Sequence, residues 1–294
     1  MTAAQMSSGK THRDENFPVA SRLIDRRHRG VILAFYRFVR AADDVADHAM
    51  LAEPEKLALL DRLEQGLLGE HDAEPDATAL RHALAARALS PRHAQDLLTA
   101  FRMDLTKRRY RDWEDLIGYC SYSAMPVGRF VLDVHGESRD TWPANDALCA
   151  ALQIINHLQD CAADYRNLDR VYIPLDALAR EGLTVAALGE EKASPALRRC
   201  LRQLAKRTAI LLRDAAPLRV EVRDFRLGLE IAAIQRLAVK LIGMLRRRDP
   251  LRERVHLTKP GFLGVSALGV AEGLLRRAAA GFSSRAKKPS MHEG

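Results

Sequence analysis

Apolar residues recur every three to four positions along nearly the whole chain, and no stretch alternates them convincingly with polar ones. That period belongs to helices with one buried stripe, so such a chain must build its core by packing helix on helix. Phe35, Phe38, Val39, Ala42 and Ala46 form one stripe, and Leu152, Ile155, Leu158 and Ala162 form another. Composition agrees, with 45 Ala and 42 Leu among 294 residues, both strong helix formers. Pro54, Pro75, Pro91, Pro143, Pro174, Pro195, Pro217, Pro250 and Pro260 punctuate the pattern, because proline begins or ends a helix more readily than it continues one. The spacing predicts helices over 29–48, 52–68, 76–88, 90–107, 112–137, 144–166, 194–216, 221–247 and 262–277. The expected fold is all-α: a single helical domain over 14–277, with a flexible N-terminal tail (1–13) and a basic flexible C-terminal tail (278–294).

The formal charge of +8 is concentrated at one end: residues 246–294 hold 11 Lys and Arg against 4 Asp and Glu, a local +7. A basic end suits an anionic membrane surface, or serves only as a solvated terminus. No run approaches the roughly 20 apolar residues that cross a bilayer. Cys120, Cys149, Cys161 and Cys200 lack metal-binding spacing and read as reduced thiols of a cytoplasmic protein. Peripheral residence on the inner face of the membrane is the second option.

The carboxylates point to chemistry. Asp43 and Asp47 stand one turn apart on one helix face beside Asp44, where like charges cost about 0.2–0.5 kcal/mol per exposed pair. Taken alone, such a pair is ordinary solvated surface. A second helix repeats it: Gln153, Asn156, Asp160 and Asp164 lie along one stripe, with His157 at its border. Two oxygen-donor stripes in a mostly apolar domain suit Mg2+, which takes one or two carboxylates and completes its shell with water and phosphate oxygens. The matching reaction is departure of diphosphate, with metal ions neutralising the leaving group and an apolar wall sheltering the carbocation. Arg40, Arg166 and Arg170 could add donors to phosphate oxygens.

At these residues the chain resembles the squalene/phytoene synthase family. The resemblance runs from about Asn16 to Leu257, through Asn16-Phe-Pro-Val-Ala-Ser21, Tyr36 to Asp47, Met103-Asp-Leu-Thr-Lys-Arg-Arg-Tyr110, Asp115-Leu-Ile-Gly-Tyr-Cys120, Asn156-His-Leu-Gln-Asp-Cys-Ala-Ala-Asp164 and Asp169-Arg-Val-Tyr-Ile-Pro174. It implies an isoprenoid-synthase bundle with a central cavity, several Mg2+ ions bridging the diphosphate, and a prenyl chain in the apolar interior. Asp43, Asp47, Asp160 and Asp164 carry over as magnesium or diphosphate partners, with Asn156 as a further ligand and Gln153 on the same face. Ser21, Arg40, Arg170 and Tyr172 match positions at the phosphate end, and Phe17 and Tyr36 match cavity positions. Tyr122 is a candidate for handling the trapping water.

Three departures refine the resemblance. Ser121 stands where many relatives place a cavity tyrosine, Pro126 enters mid-helix and should kink it, and Gln159 replaces an arginine beside the diphosphate. With the Asn16–Ser21 opening, they resemble the hopanoid-pathway branch that ionises presqualene diphosphate and traps the cation with water as hydroxysqualene. That branch implies no NADPH, and its implied partners are the prenyl diphosphate and other hopanoid-pathway enzymes, without nucleic acid. The rival within the family is head-to-head condensation of two farnesyl or geranylgeranyl diphosphates to presqualene diphosphate, squalene or phytoene. The rival of another class is a non-catalytic helical binding subunit.

Overall fold

The computed structural model describes Ala3 and residues 23–286. Their regular elements are α1 (Arg26–Asp47), α2 (Glu53–Leu68), α3 (Pro75–Ala85), α4 (Arg92–Thr106), α5 (Trp113–Ser123), α6 (Met125–His135), α7 (Trp142–Leu168), α8 (Leu175–Arg180), α9 (Pro195–Asp214), α10 (Leu218–Glu221), α11 (Phe225–Leu245) and α12 (Lys259–Ala286). Among these residues the β pairing amounts to an isolated bridge between Arg109 and Val171.

The expected apolar stripes are the buried ones. On α1, Phe35, Phe38, Ala42, Val45 and Ala46 enter the core, and on α7 Ile154, Ile155, Leu158 and Ala162 do the same. α1 packs on α3 and α4, whereas α7 packs on α6, α9 and α11, and the two helices line a central cavity from different sides. Phe35 of α1 stacks on Phe130 of α6 with ring centroids 3.9 Å apart, joining the two halves of the bundle.

Some boundaries differ from the periodicity. The stretch expected as one helix over 112–137 breaks at Ala124 (φ −133°, ψ −48°) into α5 and α6. Pro126 causes this: in the first turn of a new helix its missing N–H costs nothing, whereas mid-helix it would orphan a carbonyl. The Ala124 N–H still donates to the Cys120 carbonyl (3.1 Å), and the Val127 N–H donates to Ala124 (3.1 Å), so the break stays satisfied. The helix expected from 221 begins only at Phe225, because the chain leaves the short α10 at Glu221 and turns before α11, where buried Glu137 accepts from the N–H groups of Arg223 and Asp224, both at 2.8 Å. α12 continues to Ala286, so the expected C-terminal tail is helical over 278–286. The expected tail segments 287–294 and, Ala3 apart, 1–13 lie outside the described residues. No helix among the described residues is long and apolar enough to cross a membrane.

Gly128 permits a close approach of α6 to α7. A Cβ there would lie 2.1 Å from Asn145 Oδ1 and 2.6 Å from Cys149 Sγ. Gly128→Ala is therefore expected to destabilise the fold by about 1–3 kcal/mol through overpacking, read as a lower midpoint in thermal or urea unfolding.

Candidate active site

The C-terminal half of α1 divides its three aspartates between two tasks. Arg40 pairs with Asp43 at 3.0 Å and with Asp44 at 2.7 Å, the i,i+3 and i,i+4 geometry of a helix surface. Asp44 is buried with this guanidinium, and it is Asp43 and Asp47 that line the cavity together with Tyr36 and Arg40. From α7, Gln153, Asn156, Asp160 and Asp164 line the same cavity, so the two stripes meet.

A turn after α7 completes the arrangement. Asp169 takes a left-handed conformation (φ 51°) and reverses the chain, and its carboxylate binds Arg108 and Arg109. The Val171 N–H then donates to the Arg108 carbonyl (2.9 Å) and the Leu175 N–H to that of Tyr110 (2.9 Å). This zipper delivers Arg170 and Tyr172 inward. Arg170 Nη1 donates to Asp47 Oδ1 at 2.6 Å, its Nε to the Asp104 carbonyl at 3.2 Å and its Nη2 to the Ala46 carbonyl at 3.4 Å.

Asp104 belongs to the site although only its motif, and no role, is apparent in the sequence. Its buried carboxylate accepts from Tyr119 at 2.8 Å and from Tyr172 at 2.9 Å. His157 stacks on Tyr172 with centroids 3.6 Å apart, and burial pushes its imidazole down to about 3, so it is neutral. Beyond this polar layer the cavity, of about 530 Å³, is lined by apolar side chains including Leu97, Phe101, Val131, Leu152, Ile231 and Ile234.

Two expected residues fall elsewhere. Tyr122 is 38% exposed and is absent from the cavity lining. Tyr119 and Ser123, one turn apart, take the inward face of α5, and the cavity tyrosines are Tyr36, Tyr119 and Tyr172. Ser121 is also outside the lining, and its hydroxyl donates to the Gly118 carbonyl at 2.6 Å. Ser21 and Phe17 lie outside the described residues. Arg166 lines the polar mouth with Asp160 and Asp164 and also donates to the carbonyls of Gly189 (3.1 Å) and Glu190 (2.6 Å), bracing the segment after α8.

Gln159 acquires a structural task. Its buried side-chain amide donates to the Val255 carbonyl and fastens the loop between α11 and α12 to α7. That loop brings Arg252, Arg254 and His256 around the polar mouth lined by Asp47, Asn156, Asp160 and Asp164. Positive charge at the mouth is thus supplied in part by a segment remote in sequence.

The carboxylates are held in an unfavourable state. Asp43 keeps 34% of its side-chain surface accessible, but that surface faces the cavity rather than bulk water. Burial, then the neighbouring Asp47, raise its carboxyl to about 7, against the opposing pull of Arg40. Burial, then Asp160, push Asp164 up to about 7, and burial raises Asp104 to about 6 against Arg170 and its two phenol donors. Carboxylates and the Asn156 amide oxygen are hard donors, and their mutual repulsion is relieved by a divalent cation, so this set fits Mg2+. The described residues hold another convergent group, His28, His135 and Asp224, with ligand atoms within 4.8 Å of one another. There the two ring nitrogens of His28 face Arg27 Nε (2.9 Å) and Arg87 Nη1 (3.1 Å), which disfavours a cation.

The sign of the pH effect follows. A carboxyl raised in the folded state contributes stability that is present below its ordinary value near 3.8 and lost as pH rises through about 7. The metal-free protein is expected to lose thermal stability between pH 5 and 8 through these groups, while Asp43→Asn or Asp164→Asn raises its melting temperature at pH 8. Mg2+ is expected to stabilise wild type more at pH 8 than at pH 6; scanning fluorimetry in chelator and in Mg2+ measures both.

Fold and site together define an isoprenoid synthase: a helical bundle among the described residues, and paired oxygen-donor stripes above an apolar cavity. The squalene/phytoene synthase family profile matches residues 10–260, and the chain belongs to that family. It is 59% identical to a hydroxysqualene synthase of Rhodopseudomonas palustris, over 94% of both chains. It is 57% identical to that of Sinorhizobium fredii, over 89% of this chain and 90% of the relative. The crystal structure of squalene synthase HpnC from Alicyclobacillus acidocaldarius superposes with a TM-score of 0.72 at 30% identity, covering 83% of this chain and 92% of that one.

Proposed function

We propose that this enzyme ionises presqualene diphosphate and traps the rearranged cation with water, yielding hydroxysqualene and diphosphate. The observation that carries this reading is the convergence of Asp43 and Asp47 with Asn156, Asp160 and Asp164 on the polar end of one apolar cavity. The relatives named hydroxysqualene synthase, at 57–59% identity over about nine-tenths of the chain, support the branch.

Those five residues would hold Mg2+, which when bound neutralises the diphosphate and the charge it gains as its carbon–oxygen bond breaks. The chain supplies the rest. Arg170 fixes Asp47 and the Asp104 backbone relative to each other, which sets the spacing of the two walls at the mouth. Arg252 and Arg254 add positive charge around the departing anion. Below the mouth the phenols of Tyr119 and Tyr172 stay protonated, since burial raises both well above the ordinary tyrosine value, and each spends its proton on Asp104. The cation therefore meets neutral rings and mostly aliphatic walls, with the buried side chains of Glu230 and Asn145 among them. The carbon–oxygen pair leaves with diphosphate, a water oxygen forms the new bond, and its proton passes to solvent or diphosphate. The sequence is redox-neutral and calls for no hydride donor. Substrate and product are long-chain isoprenoids, and we place the chain at an anionic membrane surface, beside the enzymes that make and consume them.

With Mg2+ and without nicotinamide, presqualene diphosphate is expected to give hydroxysqualene by mass spectrometry, and farnesyl diphosphate to give no product. Presqualene diphosphate or phytoene-type product from a prenyl diphosphate would replace this reading with head-to-head condensation. Asp160→Asn is expected to lower turnover by about a hundredfold or more with a cooperative unfolding transition retained; undiminished turnover would remove the metal assignment.

A further inference from the structure

α12 presents two unlike faces. Inward, Gly269 and Gly273 lie flush on α11: a Cβ at either position would come within 2.8 Å of Ala232 atoms. Arg277 also turns inward, donating to the carbonyls of Arg219 (3.0 Å) and Val222 (2.6 Å). Glu272, the single acidic residue of the helix, lies among Arg219 (3.7 Å), Arg236 (3.9 Å) and Arg276 (3.1 Å). Outward, Leu263, Leu268, Leu274 and Leu275 are 68%, 59%, 44% and 72% exposed, with Ala267 and Ala271 exposed between them.

These residues recur at three- and four-residue spacing opposite the glycines, so they form one continuous stripe. From Pro260 to Leu275 every exposed side chain on α12 is apolar. An exposed leucine alone is unremarkable, but an aligned row of this length is not. Around it stand exposed cations: Lys259 at the start of the helix, Arg276 at the end of the stripe, and Arg236 and Lys240 on α11. An apolar stripe edged by cations is complementary to acyl chains beneath anionic headgroups.

The position of α12 gives this face a use. α11 turns Ile231 and Ile234 into the cavity and Ala232 and Ala233 under α12. Two packed helices, α12 and α11, with axes about 8–10 Å apart, thus lie between the outward stripe and the space for the hydrocarbon chain. We propose that the outward face of α12 lies flat in the headgroup–acyl boundary of an anionic bilayer and holds the apolar wall of the cavity next to the membrane. This deepens the functional reading and rests on it for the identity of the cargo, a long-chain isoprenoid diphosphate drawn from the bilayer. The docking surface is the leucine stripe, with the cations as its electrostatic fringe; Arg277, turned inward, takes no part.

Full-length protein without substrate is sedimented with vesicles of phosphatidylcholine alone or mixed with phosphatidylglycerol. Binding is expected on the mixed vesicles, weakening with salt. Leu263→Gln with Leu268→Gln, both at exposed positions, is expected to lower the partition coefficient at least about tenfold with an unchanged melting temperature. The variant should keep wild-type turnover on detergent-dispersed substrate and lose it on vesicle-embedded substrate. Undiminished vesicle binding by the variant overturns the proposal. So does a wild-type dimer in light scattering that the variant converts to monomer, since a second copy would then be the occupant. Because the binding arm contains no substrate, a failed catalytic assay with intact binding strikes only the functional reading.

Discussion

Like charges gathered at the mouth of an apolar cavity repel one another, and much of the structure serves to hold them there. Asp43 with Asp47 and Asp160 with Asp164 occupy positions where burial and mutual repulsion push two of the four carboxyls up to about 7. No isolated helix gains from such an arrangement. Arg40 ties Asp43 to Asp44, Arg170 ties Asp47 to the Asp104 backbone, and Asp169 in its left-handed turn makes the second of these contacts possible. The repulsion left over is what a divalent cation and a diphosphate relieve, so strain in the metal-free fold and affinity for the ligands share one origin.

The apolar chamber depends on the same bundle in a different way. Its walls come from α1, α4, α5, α6, α7 and α11, and they meet because small residues let helices approach closely, Gly128 against Asn145 and Cys149 being the tightest case. Neutral rings separate the chamber from the charged mouth: two protonated phenols bound to Asp104 and an uncharged imidazole stacked on one of them. A reacting cation is thus offered charge stabilisation at one end and mostly aliphatic surface elsewhere, Glu230 and Asn145 being polar exceptions. Outside, α12 repeats the use of glycine for close packing, and the leucines this leaves outward extend the apolar character of the chamber toward the molecular surface.

Much of this was legible beforehand. Residues at three-to-four spacing are buried on helices, and Tyr36, Arg40, Gln153 and Asn156 line the cavity with the four aspartates. Pro126 was readable as a kink and is a full break, because Ala124 leaves the helical region before the proline restarts it. Tyr122 and Ser121 misled, since a motif gives the order of residues but the phase of a helix decides which of them turn inward. Asp104 sat in a recognisable motif without a role, because its partners Tyr119, Tyr172 and Arg170 are 15, 68 and 66 residues away. Arg252, Arg254 and His256 offered no local signal, since they reach the mouth on a loop that the buried hydrogen bond from Gln159 to Val255 helps to fasten.

The amino-acid sequence by itself determined what depends on neighbours along the chain: helical periodicity, the breaks imposed by proline, and the placing of each aspartate pair on one face. Tertiary structure alone decided that the two pairs face one cavity, that Arg252 and Arg254 reach the mouth from a distant loop, and which face of α12 is left bare. The physical reason is range. Backbone geometry and side-chain sterics act over a few residues, whereas burial, charge repulsion and close packing are set by groups that meet only when the chain has folded.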